Sequence, residues 1–155
     1  MSFDLQINNN LGNFALLQHD VSFDASGSLV TVTGTTKLVQ DIQKILFTTR
    51  NYFYNQYSTN IQQFIGTNTS PATIIHTLNS EVTNSLNYLV ILQQSQAKYQ
   101  QVFSSEIIQE ILLVDTEYVF ETTQNENDLT AFKITIVVQN AAGQNISVNR
   151  TVSLN

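Results

Sequence analysis

The chain has 155 residues, enough for one domain that removes roughly two thirds of its extended surface from water without disulfide or metal staples. It contains no cysteine, which excludes disulfides, thiol catalysis and thiolate zinc sites. Only 12% of the residues are charged, the net charge is -6, and the six basic residues (Lys37, Lys44, Arg50, Lys98, Lys133 and Arg150) are scattered, which argues against a nucleic-acid partner.

The amino terminus, MSFDLQINNN, has neither the basic start nor the apolar run of a secretory signal. No window approaches the ~18 uninterrupted apolar residues of a membrane span, so a soluble, cytoplasmically made protein with no membrane partner is expected. Residues 1–19 read as an arm, with Asn8, Asn9, Asn10, Gly12 and Asn13 breaking any apolar pattern. A single domain is expected over 20–155. It opens with a β-hairpin: Val21 and Phe23 on one side, Leu29, Val30 and Val32 on the other, and Ala25, Ser26 and Gly27 as turn chemistry.

After Gly34 the period changes. Leu38, Val39, Ile42, Ile45 and Leu46 share one helical stripe, while Lys37, Gln40, Asp41, Gln43 and Lys44 take the other side, and Thr35 or Thr36 can cap the helix. Tyr52, Phe53, Tyr54 and Tyr57, interleaved with Asn and Gln, follow no period and predict a connection pinned by rings, with partner contact as the alternative use of the tyrosines. A short helix from Ser58 carries Ile61, Phe64 and Ile65 and ends at Gly66.

Ser70 followed by Pro71 marks the start of a second long helix, because proline at the first helical position loses no hydrogen bond. Its stripe of Ile74, Ile75, Leu78, Val82, Leu86, Leu89, Val90 and Gln93 continues to about Tyr99. A helical turn is expected over Ser104 to Ile111. Alternation then predicts three strands: one with Leu112, Val114, Thr116, Tyr118 and Phe120 on one face, one with Phe132, Ile134, Ile136 and Val138, and one with Ile146, Val148, Val152 and Leu154. Polar turns over 124–128 and 140–143 join them in an antiparallel meander. The fold class is α+β: an N-terminal β-hairpin, two main helices with shorter ones, and a C-terminal three-stranded sheet carrying helices on one face.

Little in this pattern supports catalysis. His19 and His76 lack partners at zinc-ligand spacing, the five glycines stand alone, and no serine lies in a nucleophile elbow, so no metal and no cofactor is expected. Glu106 with Glu110, and Asp115 with Glu117 and Glu121, place carboxylates on common faces. Those faces are the ones periodicity assigns to solvent, whereas a glycosidase needs one acid desolvated in a cleft.

The run LVQDIQKILFTTRNYFYNQYSTNIQQFIG, preceded by SGSLVTVTG, resembles the sheath-initiator family of contractile phage tails, also called baseplate wedge protein 25, with relatives in type VI secretion baseplates. The matching residues are Gly34, Gln40, Ile42, Ile45, Leu46, Thr48, Tyr57, Ile61, Ile65 and Gly66. Arg50, Asn51 and Ser58 stand where members often have glycine, and Glu106-Ile107-Ile108 stands where many have Glu-Pro-Arg.

The resemblance implies a structural virion protein of the tail baseplate, assembled in the host cytoplasm. Several copies would sit around the tail axis, in contact with tail sheath, baseplate wedge and tail tube proteins. It implies a β edge on which the first sheath ring is laid, for which the expected residues are Phe132, Ile134, Ile136, Val138, Ile146, Val148, Arg150, Val152 and Leu154, with the arm 1–19 as a second contact. Arg50, Tyr52, Tyr54, Tyr57 and Glu106 are the expected wedge contacts. The alternatives are a cell-wall glycosidase, in keeping with the label "lysozyme-like" attached to that family, and a subunit of a related contractile injection or type VI secretion system.

Overall fold

The computed structural model describes residues 4–5, 25–26, 31–47, 59, 71–119 and 131–153. Element order is β1 (Asp4–Leu5), β2 (Thr31–Val32), α1 (Gly34–Phe47), α2 (Pro71–Gln96), a 3-10 turn (Ser104–Glu106), β3 (Ile108–Val119), β4 (Ala131–Asn140) and β5 (Asn145–Ser153). The fold is α+β, with an antiparallel sheet of order β3-β4-β5.

The core forms where the stripes of the two helices meet the inward face of this sheet. Leu38, Ile42, Ile45 and Leu46 of α1 join Ile74, Leu78, Val82, Leu86 and Leu89 of α2. From the sheet come Ile108, Phe132, Ile134, Ile136, Val138, Ile146 and Val148. Each such apolar side chain contributes roughly 1.5–3 kcal/mol when fully buried, so among the described residues this cluster is a large stabilising term. A hydroxyl bridge ties α2 to the sheet as well: Thr116 donates to Asn79 Oδ1 at 2.7 Å.

The polar side of α1 departs from the expected pattern. Lys37 and Gln40 are buried rather than solvated, because α1 is packed against the 3-10 turn, α2 and β5 at once. Burial of the Lys37 ammonium is offset by Asp41 one turn later, at 2.7 Å. At the other end of α1 the Thr59 hydroxyl donates to the Leu46 carbonyl at 2.7 Å, satisfying one of the last-turn acceptors.

The turn at Ala25–Ser26 is present. The described strand of that region, Thr31–Val32, pairs antiparallel with Asp4–Leu5 of the arm. Residues 21–24 and 27–30 of the expected hairpin lie outside the described residues, as do the short helix after Ser58, apart from Thr59, and the turn over 124–128.

The expected helical turn over Ser104–Ile111 stops after one 3-10 turn, and β3 begins at Ile108. The backbone groups that would continue a helix are captured elsewhere. The Gln93 amide donates to the Glu106 carbonyl at 2.8 Å and accepts from Ile108 N–H at 2.9 Å, and the Ile107 carbonyl accepts from Ala141 N–H at 2.9 Å.

Strand β3 also breaks the simple alternation. Register shifts against β4 fall between Ile108 and Glu110 and between Ile111 and Leu113. Each inserts a residue and turns the following side chains over. Leu112, expected inward with Val114, Thr116 and Tyr118, is therefore 43% exposed, and Ile111 takes the inward place.

Candidate interface at the sheet edges

Where the strands lie in the sheet sorts the expected sheath-binding residues into two groups. β4 is the central strand, bonded to β3 on one side and β5 on the other. Phe132, Ile134, Ile136 and Val138 all have 2% or less exposure. They cannot form an open edge: the ladder of β4 is closed on both sides and its apolar side chains are core. β5 lies at the end of the sheet, with no second partner strand among the described residues.

The geometry of β5 identifies which of its backbone groups face outward. In an antiparallel pair, residues that exchange both backbone bonds alternate with residues that exchange none. The β4–β5 hairpin closes with Asn140 N–H donating to the Gln144 carbonyl at 3.0 Å and Gly143 N–H to the Asn140 carbonyl at 2.9 Å. Gly143, at φ +80°, supplies the left-handed residue that this three-residue loop requires. Counting back from that closure along the register, Val138↔Ile146, Ile136↔Val148 and Ile134↔Arg150 are the bonded pairs.

The N–H and C=O groups of Ser147, Asn149 and Thr151 then point away from β4. Their side chains are exposed on the outer face, uncharged and small. The whole β4–β5 register, from Ala131↔Ser153 to Gln139↔Asn145, has no bulge. Of the expected β5 residues, Ile146 and Val148 are buried in the core and Arg150 is half-buried. The Val152 side chain and Leu154 lie outside the described residues. Side-chain alternation pointed to Ile146 and Val148, whereas the edge is formed by backbone groups of the residues between them.

Glu106 is a correction of a different kind. It was expected on a solvated face with Glu110, and it has 1% exposure. Its Oε1 accepts from Gly34 N–H at 2.7 Å across 72 positions of sequence. The carboxylate thus caps the start of α1, where the unpaired amides and the helix dipole favour negative charge. The two threonines expected to cap that helix, Thr35 and Thr36, both lie inside it, and Thr35 donates its hydroxyl to Gln144 Oε1 at 3.4 Å. Gly34 has φ +65°, a conformation glycine adopts without Cβ strain.

Around this cap, Asn140 Nδ2 donates to the Ser105 carbonyl at 3.2 Å and to Gln144 Oε1 at 3.1 Å. The start of α1, the 3-10 turn and the β4–β5 hairpin are joined in one polar knot. Of its members Gln93, Asn140 and Gln144, only Gln93 has a signal in the sequence: a lone amide in an otherwise apolar stripe is a legible sign of a buried bond. The other expected wedge contacts, Arg50, Tyr52, Tyr54 and Tyr57, lie outside the described residues.

Tyr118 packs its ring on Phe132 with centroids 4.8 Å apart and planes tilted by 48°. Burial pushes its hydroxyl up from the ordinary value of 10.0, so at neutral pH it is a neutral phenol. Among the described residues no group of three or more His, Asp or Glu could hold a metal ion, and no helix is long and apolar enough to cross a membrane. The chain matches no protein-family model, no curated protein and no solved structure.

Proposed function

We propose that this protein is a structural baseplate component of a contractile phage tail, linking the baseplate wedge to the tail sheath and templating the first sheath ring by β-strand augmentation. The observation that carries the reading is the regular, unbulged margin of β5, which has no second strand on it among the described residues. A visiting extended segment gains main-chain bonds from Ser147, Asn149 and Thr151, and its alternate side chains lie over a face of small uncharged groups that are cheap to dehydrate. The likeness of residues 34–66 to sheath initiators supports the same reading. Several copies around the tail axis would add weak contacts into a stable collar. The tail tube and the wedge are the neighbours this role requires, and the tail baseplate of the virion is its location.

Deleting β5 would not test this proposal cleanly, since Ile146 and Val148 belong to the core. Asn149→Pro is the sharper variant. Proline there removes an outward donor and places its ring in the path of an incoming strand, while no bond to β4 is lost. The expected outcome is a folded protein that no longer seeds polymerisation of purified sheath protein. Sheath growth from the variant at the rate of the unaltered protein would count against the proposal.

A further inference from the structure

The opposite margin of the sheet differs from β5 in every respect that matters for recognition. β3 carries two bulges, and between its bulged half and α2 lies an open groove of about 530 Å³. The α2 wall is formed by Thr83, Asn87 and Val90, whose spacing of four and three residues puts them on one stripe beside the core-facing one. The strand wall runs from Ile108 to Val114. Within it the bulges turn Leu112 and Leu113 outward, 43% and 47% exposed. No strand pairs with this margin among the described residues.

The charge along β3 is of one sign. Glu110 lines the groove, and Asp115 and Glu117 follow on the same strand. Glu117 faces Lys133 at 3.7 Å. The side-chain carboxylates of Glu110 and Asp115 neither hydrogen-bond nor ion-pair with any described residue. Bulges and charges of this kind keep an edge from pairing indiscriminately. They also define what can pair with it: a segment that brings cations to the carboxylates, on aliphatic stems that can lie over the leucines of the same outer face, and apolar side chains to Val90 on the α2 side.

We infer that the α2–β3 groove is a second docking site, distinct from the β5 edge, for an extended partner segment in which lysine or arginine alternates with aliphatic residues. Extended geometry follows from the shape. Thr83 to Val90 spans about 10 Å along the helix, close to the distance between the first and last of about four strand residues. A strand lying beside β3 therefore directs two side chains onto the α2 stripe while the residues between them face the outer, acidic side. A helix has its backbone groups bonded internally and would leave the outward amides and carbonyls of β3 unpaired. The site goes beyond the β5 proposal and does not require it.

The test uses the full chain and a short fluorescent peptide of alternating valine and lysine, followed by anisotropy at low salt. Saturable binding is expected, weakening as salt is raised because the paired charges are exposed. Asn87→Arg, at an exposed helix position, fills the groove and adds a like charge to that of the peptide; it should weaken binding by about ten-fold or more. Glu110→Gln, which keeps shape, should weaken it by a smaller factor. Asn149→Pro, on the other edge, should leave it unchanged. A valine–glutamate peptide that binds as tightly would overturn the inference, and so would an Asn87→Arg protein with unaltered affinity. Loss of binding in Asn149→Pro alone would place the peptide on β5 and equally overturn it. Failure of sheath seeding by the unaltered protein, with peptide binding intact, would sink the β5 proposal and leave this one standing.

Discussion

Gln93→Met is expected to destabilise the protein by about 2–4 kcal/mol while leaving side-chain volume nearly unchanged. Gln93 has 3% exposure, and its one amide satisfies two backbone groups, the Glu106 carbonyl and Ile108 N–H. Methionine fills the space and satisfies neither. Each buried backbone group left without a partner costs roughly 1–3 kcal/mol, far more than the net worth of the bond that it made. The loss falls where the chain turns from the 3-10 turn into β3, so the start of that strand and the Glu106 cap on α1 should loosen together. Urea unfolding followed by circular dichroism measures the change. An unaltered midpoint would show that water or a shifted backbone replaces the Gln93 amide at no cost.

Phe132→Ala should cost about 3–5 kcal/mol, a large fraction of the 5–15 kcal/mol by which a domain of this size is stable. Phe132 is among the largest fully buried side chains, packs on Tyr118 and sits on the central strand. Its deletion opens a cavity that strands bonded on both sides cannot collapse to fill. Thermal and chemical unfolding give the magnitude, and the same measurements on Ser147→Ala, at an exposed edge position, should lie within about 0.5 kcal/mol of the unaltered protein. The pair separates two readings of the sheet. If Phe132 served a partner rather than the core, its removal would weaken sheath binding and leave the fold as stable as before.

Much of the architecture was legible because period and burial agree. Ile74, Leu78, Val82, Leu86 and Leu89 of the α2 stripe, with Val90 packed against them, and the alternation of Phe132, Ile134, Ile136 and Val138 reappear as core, while Ile75 is half-buried and stands outside the cluster. The start of α2 at Pro71 is legible from proline chemistry, whereas α1 begins at Gly34, ahead of the threonines that its sequence offers as caps. What periodicity could not supply was the order of strands in the sheet. An alternating strand buried on one face reads alike at the edge and in the centre, so β4 and β5 looked equally able to accept a partner, and only the register separates them.

The bulges at β3 escaped for a related reason. Gln109 and Leu112 are ordinary strand residues, with no glycine to mark an insertion, and the phase of the following side chains changes without a local signal. A helical period puts Glu106 on the face of Glu110, away from Ile107, Ile108 and Ile111, and so assigns it to solvent; nothing local reveals the amide that binds it. The Gly34 N–H that binds it is 72 positions away, beyond the reach of any local pattern. Alternation identifies β5 as a strand but carries no sign of its place at the end of the sheet. Ser147, Asn149 and Thr151 carry no side-chain signal, since what sets them apart is the outward direction of their main-chain groups.

Native-state amide exchange of the isolated protein, read residue by residue by NMR, tests the open margin of β5 most directly. Amides of Ile146, Val148 and Arg150, bonded to β4, should be protected, while those of Ser147, Asn149 and Thr151 should exchange fast and become protected only when purified sheath protein is added. Slow exchange at all six positions in the isolated protein would mean that the edge is already sealed from within, and would contradict the account.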